Sequence, residues 1–231
     1  LIIALTILAL LGYMTLLAYT GVERGLISKE GDSTVVGIVF VFQWLSMILP
    51  LVMITKLKGK LDKKSFGIKK VKTWEIIKQI FQAYLLYILI SFLVGSLIVY
   101  YGIEIPGYQM QESILPLFGT GTLDIIIAAV TVIIIAPIVE EVIFRGFLLR
   151  SFSNHFGVIF GSILSALIFA SLHLPWQSFI PIFILGLIIN GMVIRTKSII
   201  PAIFFHVLNN GIAFTLQLLL SLEYIKIENL V

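Results

Sequence analysis

The sequence contains no cysteine and few charged residues, and each shortage excludes a class of protein. Without cysteine the chain cannot form disulfides, thiolate metal sites or a cysteine nucleophile. Charged residues make up 12% of the 231 residues, whereas an ordinary soluble domain is about a quarter charged. Hydrophobic residues make up 59%, more apolar surface than one soluble core can bury. We therefore predict that most of the chain lies in a membrane.

Half of the basic residues lie in one short segment. The chain has 16 lysines and arginines and a formal net charge of +4. Eight of them lie between two apolar stretches: Lys56, Lys58, Lys60, Lys63, Lys64, Lys69, Lys70 and Lys72. Basic loops between membrane spans remain on the cytoplasmic side, so we place this segment in the cytoplasm. Such a loop indicates contact with anionic lipid headgroups, and we expect no nucleic-acid partner.

A helix needs about 20 mostly apolar residues to cross a bilayer. The sequence offers roughly seven such stretches: 1–20, 34–55, 76–101, 123–150, 157–174, 179–194 and 199–222. Loops with an excess of basic residues alternate with loops that are nearly neutral (21–33) or contain no basic residue (102–122). This alternation places the N-terminus inside and the C-terminus outside. The pattern predicts an all-α polytopic membrane protein with roughly seven transmembrane helices.

The chain divides into three predicted parts. Residues 1–122 contain N-terminal transmembrane helices with the basic loop 56–72, residues 123–222 form a helical core, and residues 223–231 are a short tail. The polar residues that could carry chemistry lie in the core, on the C-terminal four helices. We predict an integral, multi-pass location in the bacterial cytoplasmic membrane.

Two adjacent glutamates follow a strongly apolar run in the core. Glu140 and Glu141 come directly after residues 125–139, which contain no charge. Each carboxylate at membrane depth costs about 2.5–3.5 kcal/mol on insertion scales, so such residues are functional by default. Arg145 lies one helical turn after Glu141 and can pair with it, whereas Glu140 points about 100° away and is left to face a cavity. The alternative is a structural charge cluster near a helix end.

Two further polar pairs occur on later hydrophobic stretches. His173 follows Phe169 by four residues, and Asn210 follows His206 by four, so each pair shares one helix face. A single histidine near a helix end is often structural or interfacial, and His with Asn can simply join two membrane helices by hydrogen bonds. Three segments with matching chemistry favour a common site over three independent structural roles.

Helix lengths test whether these residues can meet. If the fourth and fifth spans form a hairpin that turns near Phe156, Glu140 and His173 both lie about 24–26 Å from the turn. His206 lies only about 12 Å from a turn near Ser198. It therefore reaches the other two only if the connection before the sixth span descends, the hairpin protrudes or the helices tilt strongly.

The ordered set Glu-Glu-x-x-x-Arg, Phe-x-x-x-His and His-x-x-x-Asn resembles the CPBP family, the CAAX prenyl endopeptidase and bacteriocin-processing (Abi-type) intramembrane proteases. The matching residues are Glu140, Glu141, Arg145, Phe169, His173, His206 and Asn210. The resemblance implies hydrolysis of a peptide bond within the membrane. It implies that Glu140 with His173 activates a water, and that His206 with Asn210 stabilises the oxyanion.

The resemblance also implies supporting roles for Glu141, Arg145 and Phe169, and it leaves the cofactor open. The family is often described as metalloproteases, and zinc would be bound by Glu140, His173 and His206 with a water in the fourth position. We favour the mechanism without a metal, because no single helix carries His-Glu-x-x-His and because His206 lies at an unfavourable depth.

The expected partners are a peptide or lipid-anchored protein substrate and membrane lipids. Whether the substrate is prenylated stays open. Two other classes of function stay open as well. A scaffold or bacteriocin self-immunity protein would use the polar set only to join helices. A proton-coupled transporter would use it as a relay, although the sequence contains no inverted repeat.

Overall fold

The computed structural model describes residues 66–103, 121–173 and 178–221, together with Ile48, Val52, Lys56 and Phe118. Regular secondary structure in this part of the chain is helical throughout. The helices are α1 (Thr73–Tyr100), α2 (Thr122–Ser171), α3 (Phe179–Thr196) and α4 (Ile200–Ser221). By length and composition, each of these four is able to cross a membrane. The predicted all-α membrane architecture is confirmed for the described residues.

Helix α2 is a hairpin of two arms. Gly157 has φ 80° and ψ 163°, a backbone conformation that is essentially restricted to glycine, and it interrupts the helix. The arms touch closely beyond it, because a Cβ on Gly161 would lie 2.5 Å from the backbone nitrogen of Ser153. Further along, the rings of Phe144 and Phe169 lie with centroids 5.0 Å apart. The predicted turn near residue 156 is therefore confirmed.

Five of the seven predicted spans correspond to helices of the structure. The two arms of α2 account for the predicted spans 123–150 and 157–174, and α1, α3 and α4 account for 76–101, 179–194 and 199–222. The predicted spans 1–20 and 34–55 and the tail 223–231 lie outside the described residues, apart from Ile48 and Val52. The total of seven spans stays a prediction.

The connection between α3 and α4 is fixed to the segment that precedes α1. The hydroxyl of Ser198 donates a hydrogen bond of 2.7 Å to the carbonyl of Lys69. The backbone N–H of Ile199 donates to the carbonyl of Gly67 at 3.0 Å. A Cβ added to Gly67 would lie 3.4 Å from Ile199 and 2.9 Å from the guanidinium carbon of Arg150. The α3–α4 connection therefore lies near Leu149 and Arg150, on the first arm of α2.

The position of the α3–α4 connection explains how His206 reaches Glu140 and His173. The hairpin turn at Gly157 comes eight residues after Leu149, so the hairpin protrudes beyond the α3–α4 connection. His206 follows Ser198 by eight residues, and Glu141 precedes Leu149 by the same number. Equal counts along antiparallel helices bring the two side chains to equal depth. Protrusion of the hairpin is one of the three conditions set by the sequence, and this arrangement meets it.

Candidate functional site

Three helical segments bring one carboxylate and two imidazoles together. Glu140 lies on the first arm of α2, His173 directly after the second arm, and His206 on α4. The Nε2 atom of His173 lies 3.8 Å from Oε2 of Glu140, and Nε2 of His206 lies 3.7 Å from the same oxygen. The three predicted residues therefore converge on one point.

The second nitrogen of each imidazole is already engaged. Nδ1 of His173 lies 2.6 Å from the carbonyl oxygen of Phe169. A carbonyl only accepts, so this nitrogen carries the proton. Nδ1 of His206 lies 2.8 Å from Oε1 of Glu141, a carboxylate that accepts from it. These contacts orient both rings with Nε2 towards Glu140. Oε2 of Glu140 is buried and has no hydrogen-bond partner among the described residues.

Glu141 forms the predicted ion pair with Arg145 in the interior. Nη1 of Arg145 donates to Oε1 of Glu141 at 2.9 Å, and both side chains have no solvent-exposed surface. The same oxygen also accepts from His206. Adjacent glutamates therefore differ in environment. Glu141 is paired and enclosed, whereas the side chain of Glu140 retains 21% of its exposure.

Phe169 packs against the other site residues as a common apolar surface. The Arg145 guanidinium carbon lies 4.2 Å from the centroid of the Phe169 ring, within range of a cation–π interaction. The ring centroids of His173 and His206 lie 4.5 Å and 5.8 Å from it. Phe169 thus contributes its carbonyl to orient His173 and its ring to orient Arg145.

Accessibility decreases from one side of the site to the other. The side chain of His173 is 30% exposed and that of Glu140 is 21% exposed, while His206 is only 3% exposed. A substrate and a water molecule can therefore approach Glu140 and His173. His206 reaches the same point from the enclosed side.

Wide helical turns precede and follow Glu140. Residues Val130–Ile135 and Glu141–Leu148 are π-helical, a rare conformation that occurs frequently at functional sites. In the first segment, the N–H of Ala136 donates to the carbonyl of Thr131, five residues earlier. The next bond of this register would join the N–H of residue 137 to the carbonyl of Val132. Residue 137 is proline, which has no N–H.

Asn210 supplies the donor that Pro137 lacks. Its Nδ2 atom donates a hydrogen bond of 3.0 Å to the carbonyl of Val132, 78 residues away in the chain. This contact fastens α4 to the first arm of α2, one turn from His206. Because Nδ2 carries two hydrogens, the second hydrogen is left for another acceptor. The sequence pattern placed Asn210 beside His206 but gave no sign of this backbone partner.

A double-mutant cycle tests this replacement. We expect Asn210→Leu to destabilise the protein by about 1–3 kcal/mol, since the Val132 carbonyl loses its partner. In a Pro137→Ala background, residue 137 gains an N–H that can donate to that carbonyl in the π register. The same Asn210 substitution should then cost less. Unfolding free energies of the four proteins measure the coupling, and equal costs in both backgrounds would contradict the assignment.

Asn190 and Gly186, both on α3, complete the surroundings of Arg145. Nε of Arg145 donates to Oδ1 of Asn190 at 3.1 Å, and Nη2 donates to the carbonyl of Gly186 at 3.4 Å. Neither residue belongs to a motif recognised in the sequence. The signal for Asn190 was an isolated amide within an apolar span, which in a membrane helix indicates an interhelical hydrogen bond. Gly186 contributes only its backbone and left no such signal.

The donor chemistry around Glu140 matches zinc, but the arrangement does not. One carboxylate and two imidazoles with free Nε2 atoms are a known zinc ligand set. However, the described part of the chain contains no group of three or more His, Asp or Glu arranged to hold a metal ion. We therefore derive no chemical step through a metal. The set Glu140, His173 and His206 stays the predicted ligand set if zinc binds.

Comparison with known proteins adds a family and one relative. Residues 122–212 match the family described as "Type II CAAX prenyl endopeptidase Rce1-like". An Escherichia coli protein described as "Uncharacterized 24.3 kDa protein" is 27% identical over 128 residues, which cover 51% of this chain and 59% of the relative. The chain thus spans less than two thirds of that relative's length. No solved structure matches. The matched residues include the hairpin, α3 and the first half of α4, and therefore every residue of the site.

Proposed function

Residues 122–212 belong to the type II CAAX prenyl endopeptidase Rce1-like family, and on this premise we propose that the chain is an intramembrane endopeptidase. It hydrolyses a peptide bond of a membrane-associated peptide or protein. The observation that carries the proposal is the meeting of Glu140 with two imidazoles, on three helical segments, at distances of 3.7 and 3.8 Å. Glu140 is also accessible, with 21% of its side chain exposed, so we assign its carboxylate to the reaction.

Glu140 and His173 activate the attacking water in this mechanism. The two side chains are the accessible members of the set, so a water bound between them can lie next to a substrate carbonyl. Glu140 takes a proton from the water as the hydroxyl oxygen attacks the carbonyl carbon. The proton then moves to the leaving nitrogen as the carbon–nitrogen bond breaks. His173, held by the Phe169 carbonyl, orients the water.

His206 and Asn210 stabilise the oxyanion that forms on the substrate carbonyl. Nδ1 of His206 donates to Glu141, so a donor at Nε2 requires the doubly protonated ring. The second Nδ2 hydrogen of Asn210 adds another donor to the oxyanion. Zinc would instead require Nε2 of His206 without a proton, so the two mechanisms differ in a measurable way.

The exposure of Glu140 and His173 favours an enzyme over a scaffold. A polar cluster that only joins helices can be fully enclosed, as Glu141, Arg145 and Asn190 are. Glu140 differs from them in exposure, because 21% of its side chain is accessible. An accessible carboxylate beside two imidazoles is suited to binding a reactant.

Hydrolysis in oxygen-18 water tests the proposal directly. The purified protein in lipid vesicles is incubated with membrane-anchored peptides, with and without a C-terminal prenyl group, and the products are identified by mass spectrometry. We expect two fragments, with one oxygen-18 atom in the new carboxylate. The absence of fragments from every peptide would contradict the protease assignment. Treatment with a chelator should leave the rate unchanged, and a loss that zinc restores would overturn the mechanism without a metal.

A further inference from the structure

Asn190 is a buried polar residue on α3 that no motif of the site includes. Its side chain has no exposed surface, and it forms two hydrogen bonds with other helical segments. Oδ1 accepts from Nε of Arg145 at 3.1 Å, and Nδ2 donates to the carbonyl of Ser162 at 2.9 Å. Both ends of the amide are therefore fixed, one by the first arm of α2 and the other by the second arm.

The contact with Asn190 determines how Arg145 can face Glu141. A guanidinium group is planar and presents its donors as a rigid fork. When Asn190 holds Nε, the plane of the fork is set, and Nη1 points to Oε1 of Glu141 at 2.9 Å. Without the hydrogen bond to Asn190, the guanidinium group can rotate about the bonds of the Arg145 side chain and pair with Glu141 through other nitrogen atoms.

The position of Glu141 determines in turn the orientation of His206. Oε1 of Glu141 accepts from Arg145 and from Nδ1 of His206, at 2.9 and 2.8 Å. One oxygen therefore joins the anchored guanidinium to the imidazole, whose Nε2 atom lies 3.7 Å from Glu140. A continuous series of hydrogen bonds runs from the Ser162 carbonyl to the reacting end of the site.

We propose that Asn190 is a positioning residue for His206, acting through Arg145 and Glu141. The proposal deepens the proposed function and rests on it where turnover is the readout. Asn190 is separated from His206 by two residues and three hydrogen bonds, so it affects the reaction only through the orientation of other side chains. Substrate binding should not depend on it.

Asn190→Leu removes both hydrogen bonds and keeps the number and branching of the side-chain heavy atoms. We expect kcat for peptide hydrolysis to fall by roughly 10- to 100-fold, since loss of a supporting residue misplaces the reacting group. KM should stay within a factor of about two, because kcat alone falls when an interaction made in the transition state is lost. Assays are run well below the unfolding temperature of each variant. An unchanged kcat in folded Asn190→Leu would overturn the proposal.

Ser165→Ala is the matched control for a purely structural effect. Ser165 is also buried, and its hydroxyl donates from the second arm of α2 to the Phe144 carbonyl on the first arm, at 3.5 Å. No contact among the described residues joins Ser165 to Glu141. Its removal should lower the unfolding temperature and leave kcat unchanged. If Asn190→Leu behaves in the same way, Asn190 has a structural role only.

A second readout does not depend on turnover. The chain contains three histidines, so nitrogen-15 labelling of histidine gives three sets of imidazole signals. Asn190→Leu should shift the Nδ1 signal of His206 and leave that of His155, an exposed residue outside the site, in place. Asn190→Asp, which keeps the shape but draws Arg145 from Glu141, should shift the same signal if the leucine variant does not fold. An unshifted His206 signal in a folded variant would refute the positioning role even if the wild-type protein hydrolysed nothing.

Discussion

Glu140→Gln is expected to abolish peptide hydrolysis in a protein that remains folded. The amide keeps the size of the side chain but cannot take a proton from water, and loss of a general base typically costs about 10²–10⁴-fold in rate. Because Oε2 of Glu140 has no hydrogen-bond partner among the described residues, its replacement removes no described hydrogen bond. The rate of fragment formation and the unfolding temperature, measured on one preparation, separate the two effects.

Glu75→Gln provides the control for that experiment. Glu75 lies in the first turn of α1, and its side chain is 39% exposed and 4.0 Å from Lys78. A surface pair of this kind contributes little to stability, and Glu75 does not touch the site. The control should therefore retain wild-type turnover. Turnover by Glu140→Gln at the rate of this control would remove Glu140 from the mechanism.

The sequence predicted the members of the site because polar residues are rare in this chain. In an apolar span a carboxylate or an imidazole must have a partner, so few arrangements are available to Glu140, His173 and His206. The hairpin could also be predicted from the sequence. Its arms place Glu140 and His173 at equal distances from the turn, and the single residue that breaks the helix is Gly157.

The depth of His206 could not be predicted from the sequence. It depends on the level at which the α3–α4 connection packs against α2, and that level is set by contacts of Ser198 and Ile199 with the segment before α1. Those contacts are made mainly by backbone atoms, which carry no sequence signal. The hydrogen bond between Asn210 and the Val132 carbonyl was not predicted either. It depends on the π-helical segment before Pro137, and the sequence does not indicate that this segment is π-helical rather than α-helical.

The two adjacent glutamates have opposite consequences for folding and for reaction. Glu141 is fully enclosed and shares one oxygen between Arg145 and His206, so it belongs to the interior that holds the helices together. Glu140 is partly exposed, and its buried Oε2 atom faces the two imidazoles. A helical rotation of about 100° between neighbours is enough to separate the two environments. Substitutions at these neighbouring positions should therefore affect different measurements.

Arg145→Met is expected to cause the largest loss of stability among substitutions in the site. It removes the cation from a fully buried ion pair and leaves the Glu141 carboxylate without its countercharge, a change that typically costs about 3–5 kcal/mol. The cation–π contact with Phe169 and the bonds to Asn190 and Gly186 are lost as well. The free energy of unfolding in detergent micelles or vesicles measures the effect. A loss below about 1 kcal/mol, the range of an exposed pair, would contradict the buried geometry.

Glu141→Gln in the Arg145→Met background should restore part of that stability. Removing both charges eliminates the uncompensated carboxylate, and replacing a buried ion pair by neutral groups is often close to neutral in free energy. The glutamine oxygen can still accept from Nδ1 of His206, so the orientation of the imidazole is retained. The double variant should therefore be more stable than either single variant, because each single variant leaves one buried charge unpaired. A double variant whose loss equals the sum of the two single losses would show that the two side chains contribute independently, contrary to the shared oxygen on which the arrangement of His206 depends.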